Sequence, residues 1–265
     1  MTMTRRAIPG LATAALLVRP GRAAAPEALE ELLARHLVLP ADGVSRVRYA
    51  AWKASSADMA ALDEWITAVA EARPSAMARA EAYAYWANLY NALTLKVVLD
   101  RYPVRSIRDI RSTGVPFDPR QFIGPWRTRL VTVEGRRMSL DDIEHETMRP
   151  TFRDPRVHYA VNCASIGCPN LWPRAWRGEP LEAALDEAAR AFVNHPRGAA
   201  FRADGGLRVS SIYKWFQEDF GGSEAGVIAH LRQYATGERA RRLAGASRIA
   251  EDAYDWALND AANLS

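Results

Sequence analysis

The sequence contains few of the residues that most often carry chemistry. Its 265 residues include only two cysteines and five histidines, so a disulfide-rich scaffold is excluded. After residue 18, no apolar run approaches the length that a membrane-spanning helix needs, and we therefore expect no integral membrane segment in the mature chain. No internal repeat or long low-complexity linker is visible, which favours one domain over an array of modules.

The first 25 residues contain four arginines and no acidic residue. The pair Arg5 and Arg6 precedes an uncharged apolar run over residues 7–18, and small residues follow at 23–25. This order is typical of a signal peptide with a paired arginine in its basic region. The sequence therefore predicts twin-arginine export, removal of residues 1–25, and a periplasmic or secreted protein that consists of residues 26–265.

Removing this segment changes the interpretation of the net charge. The loss of its four arginines from the 35 basic residues leaves 31, which equals the number of acidic residues. The positive charge of the whole chain thus belongs to the predicted export signal. We expect no nucleic-acid partner, and we predict no cofactor.

Hydrophobic periodicity predicts a helix-rich α+β domain. Apolar side chains recur at helical spacing over residues 26–38, 57–72, 80–99 and 181–193. The third of these helices is apolar on most sides, as expected of a buried central helix. Hairpins are predicted around Gly135 and around residues 204–206, and residues 157–162 are predicted to form a short buried strand. Helices near both ends, with hairpins between them, favour a single domain packed on a small antiparallel sheet.

Both cysteines lie in one segment, residues 157–169, with the sequence VHYAVNCASIGCP. Cys163 and Cys168 are five residues apart, a spacing that fits neither the common redox motif nor the common zinc knuckle. One interpretation is a disulfide between Cys163 and Cys168 that shapes a small loop, as expected of two cysteines in an exported protein.

A second interpretation makes Cys163 a nucleophile, which requires a base within hydrogen-bond reach and a group that orients the base. His145 and His158 are the candidate bases, and Glu144 is a candidate orienting group, with the two aspartates before it as alternatives. On a regular strand, His158 and Cys163 would face opposite sides. His145, near a predicted helix start, is then the better partner for the thiol.

A third interpretation is a metal site, because two thiolates and two imidazoles make a chemically sufficient tetrahedral set. The spacing of the two cysteines and of His145 and His158 matches no standard pattern of zinc ligands. We therefore predict no metal and keep this interpretation as an alternative.

Asn88 and Asn91 are three residues apart on the predicted central helix and share one face. Buried amides usually satisfy backbone groups of a neighbouring loop. Alternatively, an amide that points into a pocket could hold a substrate carbonyl or stabilise an oxyanion.

Four segments, taken in order, resemble the signature blocks of the domain of unknown function 547 family. The resemblance spans about residues 75–225, and residues 254–259 look like the end of the same domain. Similar domains occur inside cells, where a disulfide would not persist, so the resemblance weighs against a disulfide as the reason for Cys163 but leaves that interpretation open for an exported chain. The four segments are YWANLYNALT (85–94), LDDIEH (140–145), VHYAVNCASIGCP (157–169) and SIYKWF (211–216).

A more distant resemblance is to papain- and transglutaminase-like folds. It implies a central helix packed on an antiparallel sheet that bears a histidine. Here the central helix carries Asn88 and Asn91 where such enzymes carry their cysteine, so their usual triad does not transfer to this chain.

Together, these observations predict an exported cysteine-dependent hydrolase or acyltransferase for an amide- or ester-type substrate, either a small molecule or a peptide. Cys163 would attack the carbonyl, His145 or His158 would act as base, and Glu144 would orient the base. Asn88 or Asn91 would stabilise the oxyanion. The main alternative is a non-catalytic periplasmic binding or scaffold domain with a structural disulfide.

Overall fold

A computed structural model describes residues 25–111 and 124–263 of the chain. The predicted signal peptide lies outside the described residues, except for residue 25. The described residues form an α+β domain whose buried apolar side chains make one continuous core from Leu29 to Leu258. The α-helices are α1 Pro26–His36, α2 Tyr49–Ala54, α3 Ser56–Ala70, α4 Arg79–Arg101, α5 Leu140–Ile143, α6 Arg149–Phe152, α7 Val157–Ala160, α8 Leu181–Val193, α9 Ile212–Trp215, α10 Glu224–Tyr234 and α11 Gly237–Ala244.

The central helix is α4, as the sequence predicts. Most of its 23 residues are buried, on all sides of the helix, because α2, α3 and α5 all pack against it. It ends at Arg101, directly before Tyr102 and Pro103, since a residue that precedes proline is disfavoured in the helical conformation. No helix in the described ranges has the length and apolar character needed to cross a membrane.

The strands are short and form three small sheets. Both predicted hairpins are confirmed as antiparallel pairs, β3 with β4 and β5 with β6. In the first hairpin, Glu134 and Gly135 both have positive φ angles of 47° and 80°, the conformation that tight two-residue turns require. The strands are β1 Leu37–Val38, β2 Arg46–Val47, β3 Val131–Val133, β4 Arg136–Met138, β5 Ala199–Phe201, β6 Leu207–Ser210 and β7 Ile249–Ala253.

The largest sheet differs from the expected antiparallel sheet in one respect. Strand β7 pairs with β6 in parallel, because the chain returns through α10 and α11 before β7 begins. Such a crossover allows a parallel pair, whereas a tight hairpin does not.

The prediction of a strand over residues 157–162 is wrong. Residues Val157–Ala160 form the short helix α7, and only Val161 onward is extended. The carboxylate of Asp154 accepts a hydrogen bond from the backbone N–H of Arg156 at 2.9 Å, which starts a helical turn. A short apolar run does not distinguish a buried strand from a buried helical turn. The argument that strand alternation separates His158 from Cys163 therefore does not hold.

Candidate active site

A cavity of about 860 Å³ opens beside α4 and α5. Its walls are formed by the segment that follows β4, by the cysteine segment, by α9 and by residues 254–256 near the end of the chain. Five residues that were predicted from the sequence line it: Glu144, His145, His158, Cys163 and Cys168.

The cavity wall that is formed by the segment after β4 is positioned by a capping box. The Ser139 hydroxyl accepts a hydrogen bond from the Asp142 backbone N–H at 3.2 Å, and the Asp142 carboxylate accepts one from the Ser139 N–H at 2.7 Å. This arrangement fixes the start of α5. A π-helical turn, Glu144–Met148, then interrupts the helix and leaves Glu144 buried while His145 is partly exposed. Such turns are frequent at functional sites.

The second wall, the cysteine segment, is held by the central helix. The Asn91 amide donates to the Ala160 carbonyl at 2.9 Å and accepts from the Asn162 N–H at 2.8 Å. In the same way, the Asn88 amide donates to the Trp176 carbonyl and accepts from the Trp176 N–H, both at 2.8 Å. Each amide thus satisfies both polar groups of a neighbouring backbone segment.

These contacts favour the structural role of Asn88 and Asn91 over the predicted oxyanion role. Neither amide lines the cavity, and both are engaged with buried backbone. Their role in the site is indirect, because Asn91 fixes the residues between His158 and Cys163.

The Cys163 thiol is partly buried and faces three hydrogen-bonding groups. Its Sγ lies 2.9 Å from Tyr254 Oη, 3.2 Å from Cys168 Sγ and 3.4 Å from Ser165 Oγ. The hydrogen bond between Cys163 and Cys168 lowers the pKa of Cys163. Burial opposes this effect, and the Ser165 and Tyr254 hydroxyls reinforce it, so the pKa of Cys163 lies below its usual value. A lowered pKa favours the thiolate, which is the nucleophilic form.

The Cys168 thiol has the opposite character. It is buried, and both burial and the neighbouring Cys163 raise its pKa well above the usual value. Cys168 therefore remains protonated beside Cys163. Both cysteines are free in this structure.

His158 is buried between two carboxylates. Its Nε2 lies 2.6 Å from Asp219 Oδ2, and its Nδ1 lies 3.6 Å from Glu144 Oε1. Burial alone would lower the pKa of His158, but the interactions with Asp219 and Glu144 outweigh burial and raise that pKa above its usual value. The ring also stacks on Phe216, with centroids 4.3 Å apart.

Glu144 and Asp219 are the anionic partners in this arrangement. Burial would raise the pKa of Glu144, but the contacts with His158 and His145 lower it overall. Asp219 also accepts a hydrogen bond from Arg149 Nε at 2.6 Å. The negative charges of Glu144 and Asp219 are thus balanced by the positive charges of His158 and Arg149. We call this set, Glu144, His158, Asp219 and Arg149, the charge network.

His145 occupies the more open side of the cavity. Its side chain is 32 % exposed; its Nε2 lies 3.9 Å from Asp141 Oδ1 and its Nδ1 lies 4.0 Å from Glu144 Oε1. In the described part of the chain, neither His145 nor His158 makes a hydrogen bond to Cys163. The structure thus brings the predicted histidines and the thiol to one cavity without joining them as a pair.

Among the side chains at this site that were not predicted are Tyr254, Ser165 and Asp219. Tyr254 Oη contacts both Cys163 Sγ and Ser165 Oγ, the latter at 2.7 Å. Ser165 lies inside the cysteine segment, two residues after Cys163, and this closeness in the sequence was a signal that could have identified it. Tyr254 and Asp219 are 91 and 61 residues from their partners Cys163 and His158, a separation that carries no local pattern.

Arg197 fixes the far side of the cysteine loop. Its guanidinium donates to the carbonyls of Ile166 at 2.7 Å and Cys168 at 2.6 Å, and to the Asn170 side chain at 2.8 Å. On the opposite side, the backbone N–H of Gly167 donates to the carbonyl of Asp255 at 2.8 Å. A side chain at Gly167 would collide with Asp255, because a Cβ there would lie 2.7 Å from its backbone nitrogen. The loop is therefore clamped from both sides.

The described residues do not support the metal alternative. Across 25–111 and 124–263, no group of three or more His, Cys, Asp or Glu side chains is arranged to hold a metal ion. The two thiols contact each other, whereas His158 is engaged by the carboxylates of the charge network.

The family model described as "Protein of unknown function, DUF547" matches residues 74–193. This match supports assignment of residues 74–193 to the DUF547 family. The matched DUF547 segment contains Glu144, both candidate histidines and both cysteines, whereas Asp219 and Tyr254 lie after it. The DUF547 segment thus supplies most of the cavity chemistry, and the rest of the chain completes it. No curated protein and no solved structure matches the chain.

Proposed function

We propose that the protein is a cysteine-dependent hydrolase or acyltransferase that acts on an ester- or amide-type substrate. The observation that carries this proposal is the environment of Cys163. Its thiol lines the cavity and contacts three hydrogen-bonding groups whose interactions lower its pKa. An activated thiol beside a substrate-sized cavity is what nucleophilic catalysis requires.

In the proposed reaction, the Cys163 thiolate attacks the carbonyl carbon and forms a tetrahedral oxyanion. The Tyr254 hydroxyl is the best-placed donor for that oxyanion. Its hydrogen bond shifts from the Cys163 sulfur to the oxyanion as the negative charge moves from sulfur to oxygen. Burial raises the pKa of Tyr254 well above its usual value, so its proton stays available for donation. This role replaces the one that the sequence assigned to Asn88 and Asn91.

The partly exposed His145 is the proposed acid and base. It donates a proton to the departing alkoxide or amine, which leaves an acyl thioester on Cys163. It then takes a proton from water, or from an acceptor nucleophile, as that group attacks the thioester. His158 is less suited to this task, because both of its ring nitrogens face carboxylates and its raised pKa favours the cation.

We assign the charge network an electrostatic role. The negative charge of Glu144 raises the pKa of Cys163, and the His158 cation compensates for that charge. Glu144 and His158 are thus positioning residues in the proposed mechanism.

The test is covalent trapping on the reduced full-length chain. Activated acyl esters with different acyl groups are added, and intact mass and peptide mapping locate the acyl group. We expect acylation of Cys163 in the wild type and in Cys168→Ala, and none in Cys163→Ala. Denatured wild-type protein measures the background reactivity of the thiols. If native and denatured protein react at the same rate, or if Cys163→Ala is still acylated, the proposal is wrong.

A non-catalytic binding domain is the second candidate. The observation that favours it is that neither histidine is hydrogen-bonded to Cys163 among the described residues. In that case Cys163→Ala would keep full affinity for the cavity ligand, and the wild type would never turn it over.

We also propose that the protein is exported through the twin-arginine route, on the basis of Arg5, Arg6 and the apolar run that follows them. The N-terminus of the secreted or periplasmic form would then lie close to residue 26. Replacement of both arginines by lysine should retain the full-length chain in the cytoplasm. Unchanged processing in that double variant would reject this route.

A further inference from the structure

The two cysteines form an unequal pair at the cavity wall. Their sulfurs lie 3.2 Å apart, yet Cys163 is partly exposed and Cys168 is only 4 % exposed. The backbone N–H of Cys163 also donates to Cys168 Sγ at 3.2 Å. Both cysteines line the cavity, but Cys163 is the more accessible of the two, and the Cys168 sulfur is held in contact with it.

We infer that this pair carries a second activity, thiol–disulfide exchange with a low-molecular-weight disulfide of the glutathione type, in which Cys163 attacks and Cys168 resolves. This inference does not depend on acyl transfer. It uses the same attacking sulfur and a partner sulfur that the proposed acyl chemistry does not consume.

Two steps complete the exchange. The Cys163 thiolate attacks one sulfur of the substrate disulfide, which forms a mixed disulfide and releases one thiolate. Cys168 then loses its proton and attacks the Cys163 sulfur, which forms the Cys163–Cys168 disulfide and releases the second thiolate. The substrate disulfide gains two electrons, which the two cysteines lose. Of the two released thiolates, one can take the proton that Cys168 loses, and the other takes a proton from solvent, to which Cys163 lost its own proton on becoming a thiolate.

The local electrostatics support this order of events. The Cys163 thiolate is one of the causes that raise the pKa of Cys168. Once Cys163 is part of the mixed disulfide, that negative charge is gone, and Cys168 becomes easier to deprotonate. The resolving step is thereby favoured only after the first step has taken place.

The cavity indicates a small substrate. Cys163 lines the cavity, and its Sγ contacts the hydroxyls of Tyr254 and Ser165, so a disulfide must enter the cavity to reach it. A volume of about 860 Å³ accommodates a molecule of that size. Its lining has charges of both signs, including Asp141, Glu146 and Arg129, which suits a zwitterionic ligand.

The experiment uses the reduced full-length chain and oxidised glutathione. Samples are quenched with acid, free thiols are alkylated, and intact masses are recorded over time. We expect the wild type to end as an internal disulfide with no alkylation and to return to two free thiols with reduced glutathione. Cys168→Ser and Cys168→Ala should stop with one glutathionyl group on Cys163, and Cys163→Ser should not react at Cys168. The native Cys163 thiol should react roughly tenfold faster at pH 7 than the same thiol in unfolded protein.

Three results would each overturn the inference. The wild type could accumulate the mixed disulfide as the Cys168 variants do, Cys163→Ser could react as fast as the wild type, or the native chain could fail to react faster than the unfolded one. Circular dichroism of both Cys168 variants checks that they are folded. Failure here leaves acylation of the reduced chain intact, and failure of acylation leaves this exchange intact, so the two proposals are tested separately.

Discussion

His158 Nε2 lies 2.6 Å from Asp219 Oδ2, and this contact joins the DUF547 segment to the region that follows it. His158 is buried, and Asp219 also pairs with Arg149. Because a buried imidazolium without a partner is costly, the contact links the stability of the domain to the ionisation of both groups.

The first prediction concerns Asp219→Asn and pH. The raised pKa of His158 means that its contribution to stability is present below its ordinary pKa of 6.5 and is lost as the pH rises through the higher folded value. Burial opposes ionisation of Asp219, but the hydrogen bonds from His158 and Arg149 lower its pKa to about 2. Its contribution to stability is therefore present above its ordinary pKa of 3.8 and is lost as the pH falls from 3.8 through about 2. We expect Asp219→Asn to lower the free energy of unfolding by about 2 kcal/mol between these limits.

Urea unfolding, followed by tryptophan fluorescence at a series of pH values, measures this difference. Asp204→Asn is a matched control, because Asp204 also pairs with an arginine but its side chain is 59 % exposed. The control should change stability by less than about 0.5 kcal/mol. A penalty for Asp219→Asn that is the same at every pH would contradict the proposed ionisation.

The second prediction concerns Tyr254→Phe. The change removes a hydroxyl 2.9 Å from Cys163 Sγ and leaves the aromatic ring in contact with Trp215 and Trp256. Loss of one hydrogen bond to a charged group should raise the pKa of Cys163 and reduce its thiolate fraction roughly tenfold near neutral pH. The rate of iodoacetamide alkylation against pH reports this pKa. Tyr102→Phe, which removes a hydroxyl bonded to Asp260 instead, should leave the profile unchanged.

The helices show what a sequence pattern can specify. The helix predicted over residues 181–193 is confirmed as Leu181–Val193, because its apolar residues face the core and its polar residues face solvent. The central helix α4 was also predicted, since apolar residues on nearly all sides require burial on all sides. In both helices, the residues whose spacing determines the prediction lie within one or two helical turns of each other.

The candidate active site shows what such local patterns cannot predict. The DUF547-like segments led to Cys163, Glu144 and the two histidines, and the structure places all of them at one cavity. Which group contacts the thiol depends on how segments 91 residues apart are packed, and no periodicity records that. Asn88 and Asn91 on α4 illustrate the same limit, because the sequence does not distinguish an amide that supports a loop from one that faces a pocket.

The third prediction concerns Arg197, which donates to the carbonyls of Ile166 and Cys168. Arg197→Met leaves these acceptors without their donor, so we expect a loss of about 2 kcal/mol in the free energy of unfolding. We also expect a higher pKa for Cys163, because the clamp holds the Cys168 thiol in the contact that lowers this pKa. Arg197→Lys should restore part of both properties.

Arg174→Met is the matched control for this clamp. The Arg174 side chain is 64 % exposed and pairs with an equally exposed Glu187, so stability and the alkylation profile should both stay close to wild type. If Arg197→Met lowers stability but leaves the pKa of Cys163 unchanged, Arg197 supports the loop without positioning the thiol.

The last prediction separates support from catalysis at Asn91. Asn91→Ala leaves the Ala160 carbonyl and the Asn162 N–H unsatisfied in the core, and we expect a loss of about 3 kcal/mol in stability. Asn91→Asp keeps an acceptor for the Asn162 N–H and should lose less. Acylation of Cys163, measured well below the melting temperature of each variant, should fall in the same order as stability, because both effects come from displacement of one backbone segment. An Asn91 variant that keeps wild-type stability yet loses acylation would instead return this amide to the role of oxyanion donor.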